Sequence, residues 1–307
     1  MTISRRKLLG LGVGAGMVAA TSHWRPLRAG TDRRIMTTIP STGEQLPAVG
    51  IGTRSYRSDM DVAEMQRFRQ TLETFQSFGG RVVDTSPNYG NSETVINGLL
   101  EDLGIRDAMF MATKVDREDK QQGIERMNRS FKNLGTDQID LMQVHNLRGT
   151  EVELETMKSW KEEGRFRYLG VTTHRSSQYA EMEDVMRRHP LDFIQLNYSI
   201  ADRSAEKSIL PLARDRGIAV LVNLPFDRGR LFKAVANVSL PPWAAEMDAG
   251  TWGQVFLKYI ISYPASTLPI PGTSKPHHAK DNMGAISGRL PDAGMRREIE
   301  KFVAPLL

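Results

Sequence analysis

None of the 307 residues is cysteine. That excludes disulfides, a thiolate nucleophile and cysteine metal sites, and it leaves an oxidising compartment open to the protein without selecting one. A hydrophobic run long enough to cross a bilayer is also missing, because the apolar, Gly-rich stretch from Leu8 to Ala20 is too short. There is no low-complexity segment, no linker, and no dinucleotide-binding glycine motif after a buried strand, since Gly12-Val13-Gly14-Ala15-Gly16 lies within that same N-terminal run. Outside the head there is no large excess of charge of one sign. The net charge is +5, but Arg5, Arg6, Lys7, Arg25, Arg28, Arg33 and Arg34 all precede the main body, which is left nearly neutral, so composition gives no support to a nucleic-acid partner. The adjacent His277 and His278 lack cysteine or carboxylate companions at metal spacing, and no metal is expected.

What is present suits a soluble domain. Hydrophobic residues make up 40% and charged residues 25% of the chain, near the average for globular proteins and enough for a sizeable core. The first 34 residues read as a leader. Ser4-Arg5-Arg6-Lys7-Leu8-Leu9 is a twin-arginine pattern followed by a short apolar run and small residues at Val18-Ala19-Ala20, with a second candidate cleavage point near Ala29. This pattern predicts recognition by the Tat export machinery, a periplasmic location and no membrane span in the mature protein. A disordered basic tail on a cytoplasmic enzyme is the alternative.

Residues 35–307 alternate between two periods. A hairpin around Ser41-Thr42-Gly43-Glu44 is followed by a first strand, and then helical spacing at Met65, Phe68, Leu72 and Phe75 ends at Gly79-Gly80. Strands are expected at 81–85, 109–114, 139–145, 166–172, 193–197, 218–222 and 267–270, with helices between them, one of them over 205–216. An extra helix is expected over 291–303. Eight β/α units in series predict a parallel sheet closed as a (β/α)8 TIM barrel, a fold of roughly 250 residues.

Three polar residues stand where an apolar run ends: Asp84, Lys114 and His145, with Tyr89 five positions beyond Asp84. Ends of barrel strands are where chemistry is placed in this architecture. A phenol is a weak acid by itself, but an ammonium beside it stabilises the phenolate it leaves, and a carboxylate holds the ammonium in place. With an imidazole, the set suits proton delivery to a carbonyl oxygen. Taken singly, each residue has a plainer reading: Asp84 as a cap, Tyr89 as a turn residue before Gly90, Lys114 as a surface lysine and His145 as a hydrogen-bonded strand end.

The settings of these residues resemble the aldo-keto reductase family, whose catalytic tetrad is Asp, Tyr, Lys and His in that order. The resemblance is carried by D-T-S-P-N-Y-G-N-S-E with Asp84, Tyr89, Gly90 and Glu93, by Lys114 in A-T-K, and by His145 and Asn146 in Q-V-H-N. Further matches are G-I-G-T at 50–53, Q-L-N-Y at 195–198, P-F-D-R-G-R-L at 225–231, and I-P-G-T with D-N-M-G-A within 270–285. It implies an enzyme that uses NADP(H), with NAD(H) as second candidate. Gly52 and Thr53 fall at the cofactor's edge with Asp84. Thr172, Thr173 and Gln195 match positions that hold the nicotinamide carboxamide, where the family commonly has Ser-Asn in place of Thr-Thr. Asn223 replaces an aromatic residue that often stacks on the ring. Pro225, Phe226, Arg228 and Gly229 match the loop over the pyrophosphate. Thr273, Ser274, Asp281 and Asn282 match the adenosine end, while Gly272 and His278 stand where NADPH-selective members often carry Lys and Arg.

The resulting expectation is reduction of an aldehyde or ketone to an alcohol, or the reverse, with Tyr89 as general acid. A cofactor-bound sensor with vestigial turnover is the alternative from another class, and a barrel isomerase is the third. No feature of the loops 146–151 and 231–243 names the small carbonyl or alcohol substrate.

Overall fold

The structure, a computed structural model, describes residues 34–307, so the twin-arginine pattern and both candidate cleavage points lie outside the described residues. The first elements are β1 (Met36–Thr38) and β2 (Gln45–Pro47), an antiparallel hairpin in which Met36 faces Pro47 and Thr38 faces Gln45. Gly43 turns it at φ +78°, a conformation that favours glycine, and its N–H donates to the Ile39 carbonyl at 2.8 Å.

Eight parallel strands follow. They are β3 (Ile51–Gly52), β4 (Val82–Asp84), β5 (Phe110–Val115), β6 (Ile139–Val144), β7 (Phe166–Thr172), β8 (Phe193–Asn197), β9 (Ala219–Asn223) and β10 (Thr267–Pro269), each hydrogen-bonded to the next in sequence. The ring closes through a parallel bridge between Gly52 and Gly272 and through the Gly50 N–H donating to Pro269 O at 3.0 Å. At this seam a Cβ on Gly52 would stand 3.1 Å from the Ile270 carbonyl oxygen, so the close approach favours glycine there. The order and number of strands are those of a TIM barrel.

The helices are α1 (Val62–Ser77), α2 (Ser92–Asp102), α3 (Lys120–Asn133), α4 (Thr150–Glu162), α5 (Tyr179–Arg188), α6 (Ile209–Asp215), α7 (Arg230–Ala234), α8 (Trp252–Ile261), α9 (Pro276–Gly284) and α10 (Ala293–Val303). Asp61, Asp119, Thr251 and Asp292 cap α1, α3, α8 and α10 by accepting a backbone N–H. One expectation fails here. A single helix over 205–216 gives way to a 3-10 turn, Ser204–Lys207, and the shorter α6. Pro211 has no N–H for the Lys207 carbonyl and its ring would collide with it, so a continuous helix is barred while the first turn of a new one accepts proline.

Strand alternation places the site. The inward residues near the hairpin are apolar: Val82, Phe110, Leu141, Tyr168, Phe193, Leu221 and Leu268 form one cluster, plugged by Ile39 and Leu46. Two or four residues further along the same inward rows stand Asp84, Lys114, Gln143, Thr172, Gln195 and Asn223, in register as Lys114 opposite Gln143 and Thr172 opposite Gln195. The outward rows, such as Val83, Met142, Val171, Ile194 and Val220, pack under the helices. Both faces are therefore apolar over most of their length, and the polar residues collect at the carboxyl ends.

Candidate active site

Lys114 is nearly inaccessible, at 2% exposure, and its three donors are all used. Nζ donates to both Asp84 carboxylate oxygens at 2.8 Å and to the Thr85 carbonyl at 2.7 Å. Burial alone would lower the ammonium's pKa, but the Asp84 carboxylate and then the Tyr89 phenol outweigh it, and the net shift is upward. The lysine is thus held as a cation. Asp84 also accepts from Gln195 Nε2 at 3.2 Å and Gln143 Nε2 at 3.5 Å, so the carboxylate sits under a ring of donors.

Tyr89 follows β4 on a turn closed by its N–H donating to Ser86 O at 3.0 Å. Its ring centroid is 5.5 Å from Lys114 Nζ and 6.3 Å from the His145 ring, which meets it edge-on. The four candidate residues therefore converge, although they come from three different β/α units. Burial, and then the Lys114 ammonium, pushes the His145 imidazole down to about 3, so it is neutral at physiological pH.

Asn88 was not singled out from the sequence, yet it decides how that imidazole is used. Its amide oxygen accepts from Arg126 Nη2, and its Nδ2 donates to Asp116 Oδ2 at 2.6 Å. The amide is oriented by these two partners, so the group that lies 3.2 Å from His145 Nδ1 is an N–H donor. Nδ1 therefore accepts, and the single proton of the neutral ring is on Nε2. No periodicity or motif marks Asn88, Asp116 and Arg126 as partners, since each belongs to a separate loop or helix.

A cleft of about 1420 Å³ opens above these groups. It is lined by Asp84, Tyr89, Lys114 and His145 together with Gly52, Thr53, Thr172, Gln195, Asn223, Pro225, Phe226, Arg228, Gly229, Gly272, Thr273, His278, Asp281 and Asn282. Two residues expected at the site stand apart. Thr173 is fully buried, with its hydroxyl donating to Gln178 Oε1 at 2.7 Å, and Ser274 is not among the lining residues. Thr172 does face the cleft, but its hydroxyl already accepts the Asn146 N–H at 3.0 Å. Arg54, Arg57, Met60, His174, Asn197 and Phe232, which no motif in the sequence marks as site residues, also line the wall.

The lining has features that fit a nicotinamide dinucleotide. Gln195 is 1% exposed, and its Nε2 donates to Asp84 and, at 2.8 Å, to Asn223 Oδ1. Its Oε1 is left without a partner among the described residues. A buried acceptor of this kind is costly unless a donor reaches it, and a carboxamide NH2 is such a donor. The segment 224–229 holds Leu224, Asp227 and Arg228 at positive φ, near 50°, which turns the loop sharply over the cleft. At the far end the Asp281 carboxylate is held by Thr251 Oγ1 at 2.9 and 3.0 Å and by Gln254 Nε2 at 3.0 Å. His277 and His278 touch edge to face, and among the described residues no group of three metal-ligating side chains stands together.

The description of the Aldo/keto reductase family matches residues 48–302. Aldo-keto reductase YhdN of Bacillus subtilis (strain 168) is 30% identical over 211 residues, covering 64% of this chain and 63% of that protein, just under two thirds of its length. Aldo-keto reductase str7 of Strobilurus tenacellus is 27% identical over 282 residues, covering 78% and 83%. Among solved structures, an aldo/keto reductase from Klebsiella pneumoniae in complex with NADP and acetate superposes with a TM-score of 0.73 at 23% identity, covering 88% of this chain and 95% of that one. That likeness bears on the fold, whereas the family match rests on most of the sequence. Over those 255 positions, which include all four convergent residues, the chain belongs to the aldo/keto reductase family.

Proposed function

We propose that the protein is an NADP(H)-dependent oxidoreductase that interconverts an aldehyde or ketone and its alcohol, with Tyr89 as the proton donor to the carbonyl oxygen. The observation that carries this reading is the buried Lys114–Asp84 pair set 5.5 Å from the Tyr89 ring. Gln195, with Oε1 free to accept, would hold the carboxamide, Arg228 and the backbone of 225–229 the pyrophosphate, and Thr273, Asp281 and Asn282 the adenosine end. The Klebsiella pneumoniae relative, solved with NADP, supports the choice of cofactor. When bound, NADPH supplies the hydride for the carbonyl carbon.

The chain's own part is positional and electrostatic. His145 presents Nε2–H to the carbonyl oxygen and orients it, because its other nitrogen is occupied by the Asn88 amide. As the alkoxide develops, the Tyr89 hydroxyl gives up its proton, and the Lys114 ammonium faces the phenolate that remains. Asp84 keeps that ammonium charged and in place. Tyr89→Phe removes one hydroxyl and little packing area, so carbonyl reduction should fall by about 10²–10⁴-fold with cofactor affinity nearly intact. Turnover near the wild-type rate in that variant would refute the proton-donor assignment.

The localisation we propose is export through the Tat machinery to the periplasm, on the strength of Arg5-Arg6 and the apolar run after it. A chain that folds around a dinucleotide before leaving the cytoplasm suits a route for folded proteins. Arg5→Lys with Arg6→Lys should retain the precursor in the cytoplasm, as followed by fractionation; unchanged export would identify the head as an ordinary tail.

A further inference from the structure

On the turn that follows β3, the rim of the cleft carries arginines that the reaction scheme does not use. Arg54 occupies the second position of a tight turn in which Tyr56 N–H donates to Thr53 O at 2.9 Å. The turn is fastened at both ends. Thr53 donates through N and Oγ1 to the Asp84 carbonyl at 3.1 and 3.0 Å. Tyr56, fully buried, stacks on Phe68 at 4.4 Å and donates its hydroxyl to Thr273 O at 3.0 Å. Arg54 is exposed at the surface of this fixed turn and lines the cleft with Tyr89 and His145.

Arg57 stands on the same rim. Ser58 N–H donates to Asn91 Oδ1 at 3.1 Å, which ties this loop to the one bearing Tyr89, and a Cβ on Gly90 would lie 3.5 Å from Arg57 Cδ. His174, on the same wall, is held below the usual histidine range first by burial and then by the charges of Arg175, Arg228 and Arg54, so this part of the rim is positive. The counter-charges are few. Of the carboxylates lining the cleft, Asp84 is committed to Lys114 and Asp281 to Thr251 and Gln254. Asp59 pairs with Arg57 at 3.2 Å, but both side chains are about half exposed, so that pair is weak. Among the described residues no carboxylate forms an ion pair with Arg54.

We infer that Arg54, supported by Arg57, receives an oxyanion on the substrate, so the carbonyl compound reduced here carries a carboxylate or a phosphate. A planar guanidinium suits either group, since both accept two parallel N–H bonds. Its turn is pinned to the backbone of Asp84, so the anion would be held at a set distance from the carbonyl that Tyr89 and His145 address. The inference rests on the carbonyl-reductase reading of the site and gives that reading a substrate class.

The test uses the full chain with NADPH and two matched pairs: succinic semialdehyde against butanal for the carboxylate, and glyceraldehyde phosphate against glyceraldehyde for the phosphate. In at least one pair, kcat/KM for the anion should exceed that for the neutral partner by about tenfold, mainly through KM, as a charge-assisted contact on an accessible rim allows. The pair with the larger ratio identifies the anion. In Arg54→Met that ratio should collapse toward unity, and Arg54→Lys, which keeps the charge without the paired N–H bonds, should keep only part of it. A ratio at or below one in both pairs, a ratio that Arg54→Met leaves unchanged, or a loss of NADPH affinity in its place overturns the inference while the reductase reading stands. Reduction of none of the four with either nicotinamide cofactor overturns that reading and the inference with it.

Discussion

Asp84→Asn is the perturbation that asks most of the buried pair. Lys114 Nζ is 2.8 Å from both carboxylate oxygens, and at an effective dielectric of about 20 a unit pair at that distance attracts by about 6 kcal/mol. Asn keeps one acceptor and the Thr85 carbonyl remains at 2.7 Å, so part of that is retained. The loss expected for stranding a buried ammonium is about 3–5 kcal/mol, on the order of 10 °C in Tm for a domain of this size. Activity should fall with it, because without the carboxylate burial favours the neutral amine, which cannot stabilise a phenolate. Thermal and urea unfolding of Asp84→Asn, Lys114→Met and the double variant supply the measurement. The double variant should be more stable than Asp84→Asn by at least about 2 kcal/mol, yet inactive, since it removes the stranded charge without restoring the chemistry. If Asp84→Asn unfolds within about 1 kcal/mol of wild type, or if the two substitutions simply add, the pair does not hold the site as argued.

Two further outcomes follow from charged groups elsewhere. Glu153 is 1% exposed, and burial lifts its carboxyl to about 7 against the opposing N–H of Arg117 at 2.9 Å. The fold therefore favours the protonated form: the stabilisation is complete below the ordinary value of 4.5 and is lost as pH rises through about 7. Unfolding followed from pH 6 to 8 should show a decline on the order of 1–3 kcal/mol, which Glu153→Gln, still able to accept from Arg117, should flatten; parallel profiles for the two proteins would exclude this carboxyl as the cause. His278 is held below the usual histidine range by burial and then by His277 and Lys275. If it faces the 2′-phosphate, NADPH affinity should be level near neutrality and rise only on acidification below about pH 6.5, with NADH unaffected, and His278→Arg should tighten NADPH and remove the slope. Titration of both cofactors across that range checks this, and identical profiles for the two would remove His278 from the phosphate.

Much of the architecture was legible because it is written in local periods. Alternation of side chains along a strand and helical spacing between strands define eight β/α units before any contact is known, and Asp84, Lys114 and His145 announce themselves by ending apolar runs. Pro211, too, was visible in the sequence, and its missing N–H explains the one helix that divides. Thr172 and Thr173 are less readily separated, since neighbours at a strand end point to opposite sides and only the closed barrel shows which of them meets the cleft.

The sequence by itself determined the layering, the strand ends and the chemical types available at the barrel mouth, because these depend on residues two to four positions apart. Only the tertiary structure decided what each type meets: Lys114 reaches Asp84 across 30 positions, Asn88 reaches His145 across 57, and Gln195 reaches Asp84 across 111. The neutral His145 with its proton on Nε2, the cationic Lys114 and the unanswered Gln195 oxygen all follow from those encounters. Burial and the direction of a neighbouring donor set them, and neither quantity exists until the sheet has closed.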